Sequence, residues 1–183
     1  MRAREQTAGV QLNAMVEDTH ERFRALLERH RGIVFKVANA YAPSAEDRAD
    51  LAQEIAAQLW RAFPRYDESR PFSTWMYRIA LNVGISALRR RPEPGSVEPL
   101  GAAHEAIAGA PDLTPELAEQ LRALDRVIAR LDSLNRALLL LYLEERSYGE
   151  IAEILGISET NVATKLSRLK QRIRGELSAK ETQ

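Results

Sequence analysis

The 183-residue chain contains no cysteine. No disulfide framework can staple it and no thiolate can ligate a metal, and the absence suits a reducing compartment. Aromatic residues make up only 6% of it, so any core must be mostly aliphatic. Long hydrophobic runs are missing too. The longest, Ala137 to Leu143, is about a third of the ~20 residues that cross a bilayer. Met1 to Val16 holds two arginines but no unbroken apolar segment, which argues against a secretory signal. A cytoplasmic protein with no membrane insertion is the expectation. Catalytic signatures are equally scarce. His20, His30 and His104 lack metal-ligand spacing, and there is no nucleophile elbow or phosphate loop. No catalytic residue, metal or cofactor is therefore expected.

Net charge is absent as a total, with 26 bases against 26 acids, but not along the chain. His20 to Pro92 carries 13 Lys/Arg and 8 Asp/Glu, whereas Glu93 to Glu116 carries 5 acids and no base. Leu117 to Gln183 has 11 bases and 10 acids, the bases clustering late. A neutral sum thus hides a basic segment and an acidic connector, an asymmetry that points toward nucleic acid.

What is present is helical periodicity, with no strand alternation. The apolar spacing of Phe23, Leu26, Leu27, Ile33, Val34 and Val37 predicts a helix over Glu21–Tyr41. Ser44 and Asp47 open a second, to about Phe63, in capping-box fashion. A third runs from Ser73 to Arg91 and stops at Pro92. Residues 92–114 hold most of a cluster of five prolines and three glycines and read as a flexible acidic linker. Thr114-Pro115 starts a new helix, followed by Leu134–Glu144, Tyr148–Leu155 and Glu159–Leu177. The expected fold is all-α: two small helical domains, 19–91 and 115–177, joined by that linker, with a poorly ordered extension over 1–18 and a tail over 178–183.

The second domain contains a helix-turn-helix. Ile151, Ala152 and Leu155 give its first helix an inner face, Gly156 supplies the positive φ that ends it, and Ser158 caps the next. On that second helix Val162, Leu166, Leu169 and Ile173 share one sector. The opposite side collects Thr160, Asn161, Thr164, Lys165, Ser167, Arg168 and Gln171, side chains suited to base edges and phosphates in a major groove. A solvated amphipathic helix is the competing reading, and the turn signature argues against it.

Two stripes mark the first domain. Asp47, Asp50 and Glu54 recur at i, i+3, i+7, which taken alone suits a solvated acidic face. In Arg70–Arg91, Phe72, Trp75, Met76, Ile79 and Val83 share one side. Arg78, Asn82 and Arg89 form another stripe, with Ser86 at its edge. Aromatics beside such a stripe suit stacking on unpaired bases while cations hold the backbone. Plain core packing of Trp75 fits equally well, and Arg89 to Arg91 also suit a helix C-terminal dipole.

Taken in order, Asp50-Leu-Ala-Gln-Glu54 with Trp60, Phe72-Ser-Thr-Trp75-Met-Tyr-Arg-Ile-Ala80 running to Arg89-Arg-Arg91, and Glu150-Ile-Ala with Leu155-Gly-Ile-Ser158 carry a resemblance over Phe23 to Leu177. The chain resembles the extracytoplasmic-function (ECF) sigma factors of bacterial RNA polymerase. The resemblance implies a non-catalytic initiation factor. Asp47, Asp50, Leu51, Gln53, Glu54 and Trp60 would meet the clamp helices of the largest polymerase subunit, with a second contact at the flap region. Phe72, Trp75, Tyr77, Arg78, Asn82, Ser86, Arg89 and Arg90 would hold the −10 element as a single strand. Ser147, Ser158, Thr160, Asn161, Thr164, Lys165, Arg168 and Gln171 would read the −35 element as duplex promoter DNA. An anti-sigma factor is a further implied partner. Three positions depart from the family's habit. Ser86 stands where Asp is common, Thr160-Asn161-Val162-Ala163 where Gly-Thr-Val-Lys is usual, and Ser133 where a proline often precedes the second domain's helices. A helix-turn-helix regulator with a helical sensing domain is the alternative, and a complex with core polymerase separates the two.

Overall fold

Short polar residues punctuate this chain, and each break is built by a named contact. At the first, Ser44 accepts a hydrogen bond from the Asp47 N–H at 3.0 Å and donates its hydroxyl to the Asp47 carboxylate at 2.7 Å. This caps a helix otherwise left with orphan donors. The structure is a computed structural model that describes residues 2–90, 127–128 and 130–181, with side chains over 17–90, 127–128 and 130–176. Its helices are α1 (Arg2–Tyr41), α2 (Ala45–Ala62), α3 (Phe72–Arg90), α4 (Ser133–Leu143), α5 (Tyr148–Leu155) and α6 (Glu159–Glu181). A 3₁₀ turn, Phe63–Arg65, follows α2. No strand occurs among the described residues.

Among the described residues, α2 to α5 begin and end near the expected positions. Helix α6 runs long at its end, and the larger exception is α1. Apolar periodicity starts it at Glu21 and treats 1–18 as an extension, whereas the helix begins at Arg2. Arg, Glu, Gln, Ala, Leu and Met between Arg2 and Glu21 favour helix by propensity while offering no consistent apolar stripe. At the other end α6 continues to Glu181, past the expected Leu177. The linker 92–114 and the helix start at Thr114-Pro115 lie outside the described residues.

Helices α1, α2 and α3 pack mutually, burying Val37, Ile55, Leu59, Met76 and Leu81 almost completely. Helices α4, α5 and α6 do the same around Leu138, Leu141, Ile151, Val162 and Leu166. Within α5 the buried pair is Ile151 and Ile154, while Ala152 and Leu155, expected on the inner face, are half-buried. The two trios also touch, since α3 packs against both α4 and α5, and the buried side chains form one continuous cluster. Burial raises the Tyr41 and Tyr77 hydroxyls above the usual phenol range, so both remain hydrogen-bond donors at neutral pH.

Candidate nucleic-acid interface

The second helix of the helix-turn-helix is set by its turn. Gly156 sits at φ 68°, ψ 34°, the left-handed conformation that ends α5 without a Cβ clash. Ser158 then caps α6, its Oγ accepting the Asn161 N–H at 3.2 Å. Val162, Leu166 and Leu169 are buried and Ile173 is half-buried. That packing turns Thr160, Asn161, Thr164, Arg168 and Gln171 outward, with Lys165 half-buried at the margin.

Not every base on α6 faces outward unengaged. Lys170 lies over the Tyr142 ring at 3.9 Å, and Arg172 pairs with Glu176 at 2.8 Å. The side chains of Lys165 and Arg168 make no ion pair or hydrogen bond among the described residues, which leaves them free cations on the outer side of α6.

Ser147 has a different task. It forms a reciprocal capping box with Glu150: Oγ accepts the Glu150 N–H at 3.2 Å, and the Glu150 carboxylate accepts the Ser147 N–H at 2.9 Å. Hydrogen bonds from the Ser147 backbone and hydroxyl hold Glu150 below the usual carboxylate range. The Ser147 hydroxyl is thus committed to starting α5. Ser147→Ala is expected to cost about 1 kcal/mol, lowering the melting temperature by roughly 2–4 °C. A calorimetric melt unchanged from wild type would contradict this capping role.

Helix α3 presents Arg78, Asn82, Ser86 and Arg89 to solvent along one stripe. The aromatic residues divide. Trp75 is half-buried, 5.1 Å from the Tyr66 ring and 5.2 Å from Phe72, so an edge remains for stacking. Phe72 and Tyr77, read with the strand-holding group, are buried. Tyr77 is covered because α3 is flanked by helices of both halves, and its hydroxyl donates to Glu144 Oε2 at 3.1 Å. Arg90 is exposed yet paired, its Nη2 lying 3.1 Å from Glu54 Oε1.

On α2, Asp50 and Gln53 are exposed and Glu54 is half-buried. Leu51 is buried in the core, so it supports the face without presenting a side chain. Asp47 is drawn into the Ser44 cap, and Trp60 is half-buried against His20 and Phe23 at 4.0 and 5.1 Å. Periodicity misses residues that bridge the two halves: Lys36, Arg70, Arg136, Glu144 and Glu153. Their partners lie far away in sequence, so no local pattern signals them. Among the described residues no His, Asp or Glu cluster could hold a metal, and no helix is long and apolar enough to cross a membrane.

Comparison with known proteins places both halves. Residues 26–92 match the family model of sigma-70 region 2, and residues 121–173 match that of sigma-70 region 4. The ECF RNA polymerase sigma-E factor of Escherichia coli K12 is 32% identical over 161 residues, covering 82% of this chain and 84% of that protein. The RNA polymerase sigma factor RfaY of Xanthomonas campestris is 34% identical over 136 residues, 70% of this chain but only 33% of its own length. Among solved structures, the Bartonella quintana sigma factor RpoE, in complex with the anti-sigma factor NepR, superposes with a TM-score of 0.60. That match has 17% identity and covers 88% of this chain and 98% of that one. Two regions of one family, in the family's order, disfavour a regulator with an unrelated sensing domain. The chain belongs to the ECF sigma factors, which bind bacterial RNA polymerase and direct it to promoters.

Proposed function

We propose that this sigma factor docks on the clamp helices of the largest polymerase subunit through Asp50, Gln53 and Glu54, with Asp47, Leu51 and Trp60 supporting that face, and that its second half meets the flap region. The melted −10 strand lies along Arg78, Asn82, Ser86, Arg89 and Arg90, with Trp75 as the stacking edge and Phe72 and Tyr77 behind it. The −35 duplex is read by Thr160, Asn161, Thr164, Lys165, Arg168 and Gln171, with Ser147 and Ser158 shaping the turn. Domain limits of 19–91 and 115–177 follow from this division. The chain performs no catalysis of its own, works in the cytoplasm, and is held by an anti-sigma protein, as the Bartonella neighbour is.

One observation carries the reading: two exposed stripes of cations and hydrogen-bonding side chains, on α3 and α6, each opposite a buried face of its own helix. Cations and amides on a helix back suit nucleic acid and not a protein core. The test is in vitro transcription with core polymerase and a library of promoter fragments. The expected result is chain-dependent transcripts whose templates share two motifs; failure to form a complex with core polymerase would sink the reading. Within it, Asn82→Ala is expected to lower promoter opening about tenfold, on the scale of one lost base contact, while binding to core polymerase stays unchanged. Equal permanganate reactivity of the −10 region with the variant and wild type removes Asn82 from the strand contact.

A further inference from the structure

The side of α6 that points away from the core carries hydroxyls on Thr160, Thr164 and Ser167, all exposed. They are not equivalent. The Thr164 hydroxyl donates to the Thr160 carbonyl at 2.9 Å, whereas those of Thr160 and Ser167 make no hydrogen bond among the described residues. A threonine hydroxyl has one proton to give and two lone pairs with which to accept. With its proton spent inside the helix, Thr164 Oγ1 offers a DNA base lone pairs and nothing else. The hydroxyls of Thr160 and Ser167 keep both options. So does the side-chain amide of Asn161, a residue whose backbone N–H alone is engaged, by the Ser158 cap.

The commitment is local in origin. A β-branched residue in a helix has few rotamers, and threonine populates one that returns its hydroxyl to the carbonyl four residues back. Turning that hydroxyl outward to donate to a base would forfeit the internal bond, so the new bond would only replace the old one. Accepting a proton from a base forfeits nothing. Thr164 is also centrally placed. At ~100° per residue it stands within about 20° of the direction opposite the buried Val162–Leu166–Leu169 seam. It lies in the second turn of α6, near the end of a recognition helix that meets base edges. In the major groove adenine presents an N6 amino group and cytosine an N4 amino group, whereas guanine O6 and thymine O4 are acceptors. An acceptor-only side chain bonds the first pair and repels the second. Lys165 and Arg168, beside it on the helix, carry donors only and suit the opposite task, guanine edges and phosphates.

We propose that Thr164 is a specificity-determining residue of the duplex contact, a role that rests on α6 reading the −35 element. Its oxygen takes a proton from an exocyclic amino group and so selects adenine or cytosine, against guanine or thymine, on the strand it faces. The test uses the complex of the full chain with core polymerase, on a promoter fragment recovered from the library. Each adenine or cytosine of the −35 element is replaced in turn by purine or 2-pyrimidinone, which lack only the exocyclic amino group. Affinity is measured by competition with the unmodified fragment for wild type, Thr164→Val and Thr164→Ser. At one position, loss of the amino group is expected to weaken wild-type binding roughly five- to tenfold, the scale of one hydrogen bond. Thr164→Val keeps the branched shape at an exposed site. It should bind the unmodified fragment more weakly by the same factor and lose nothing more at that position, so the two changes couple in a double-mutant cycle. Thr164→Ser keeps a hydroxyl that can bond the Thr160 carbonyl, and should stay sensitive to the missing amino group. Additive losses at every position would overturn the role, since a hydroxyl that only steadies α6 weakens all fragments alike. A preference for guanine or thymine that valine abolishes would also overturn it, because the hydroxyl would then be donating. A complex that tolerates every change in the −35 element overturns the duplex reading itself, and the Thr164 role with it.

Discussion

Lys165→Ala combined with Arg168→Ala is expected to weaken binding of a −35 duplex about 10- to 100-fold and to flatten its salt dependence. These two are the bases of the recognition face without an internal partner, because Lys170 sits on the Tyr142 ring and Arg172 is paired with Glu176. A cation already held by an aromatic face or a carboxylate releases fewer counterions on reaching a phosphate. Each cation that does reach one contributes about one unit to the slope of log K against log salt. The double variant should therefore lose about two units of slope. Lys170→Ala should lose much less of it, which makes that variant the internal control. Fluorescence anisotropy with a matched duplex from 50 to 300 mM salt, on the order used for such contacts, reads both quantities. If affinity drops but the slope does not, the two residues contact base edges and not the backbone. If neither changes, the outer face of α6 is not the duplex-reading surface. Because both side chains lie outside the buried Val162–Leu166–Leu169 seam, the folded state should be indifferent to the change.

The helix-turn-helix is legible in the amino-acid sequence because everything that defines it is local. Gly156, Ser158 and the spacing of Val162, Leu166 and Leu169 lie within one turn or a few turns of one another, where conformational preference and periodicity act directly. The same holds for the cap at Ser44. Legibility falls where a residue's surroundings come from a distant part of the chain. Tyr77 lies beside the Arg78 stripe and looks available, but it is buried by helices of the second half, which nothing near it in sequence announces. Leu51 and Phe72 are similar: motif position suggests contact, and packing removes them from the surface. Arg136 is the reverse. A cation in an apolar helix of Ala, Leu and Tyr looks like a surface residue, yet it serves the end of a helix 96 residues away. The resemblance groups Ser147 with the −35 contacts, and its position just before α5 is what makes it a cap.

Gly84→Val is expected to destabilise the fold by about 3 kcal/mol, an overpacked-core cost, and to lower the melting temperature by roughly 6–12 °C. A Cβ at Gly84 would stand 3.0 Å from both Cγ and Cδ2 of Tyr41 and 3.3 Å from Cγ1 of Val37. Both neighbours are buried, and the Tyr41 ring is held at its far end by the hydrogen bond to Ser133. A single methyl asks that ring to shift by a few tenths of an ångström. Gly84→Ala should therefore be nearly neutral, since the helix-propensity gain of about 1 kcal/mol offsets the crowding. Valine adds two further carbons with one strongly preferred rotamer in a helix, and the ring has nowhere to go. Thermal unfolding should place the valine variant far below wild type and the alanine variant beside it. Asn82 and Ser86, two residues away on either side, point to solvent from the opposite face of α3. Any loss of −10 strand binding in the valine variant would thus come from α3 lifting off α1, and not from a lost contact. A valine variant that melts with wild type would mean that α1 and α3 do not approach as closely as Gly84 allows.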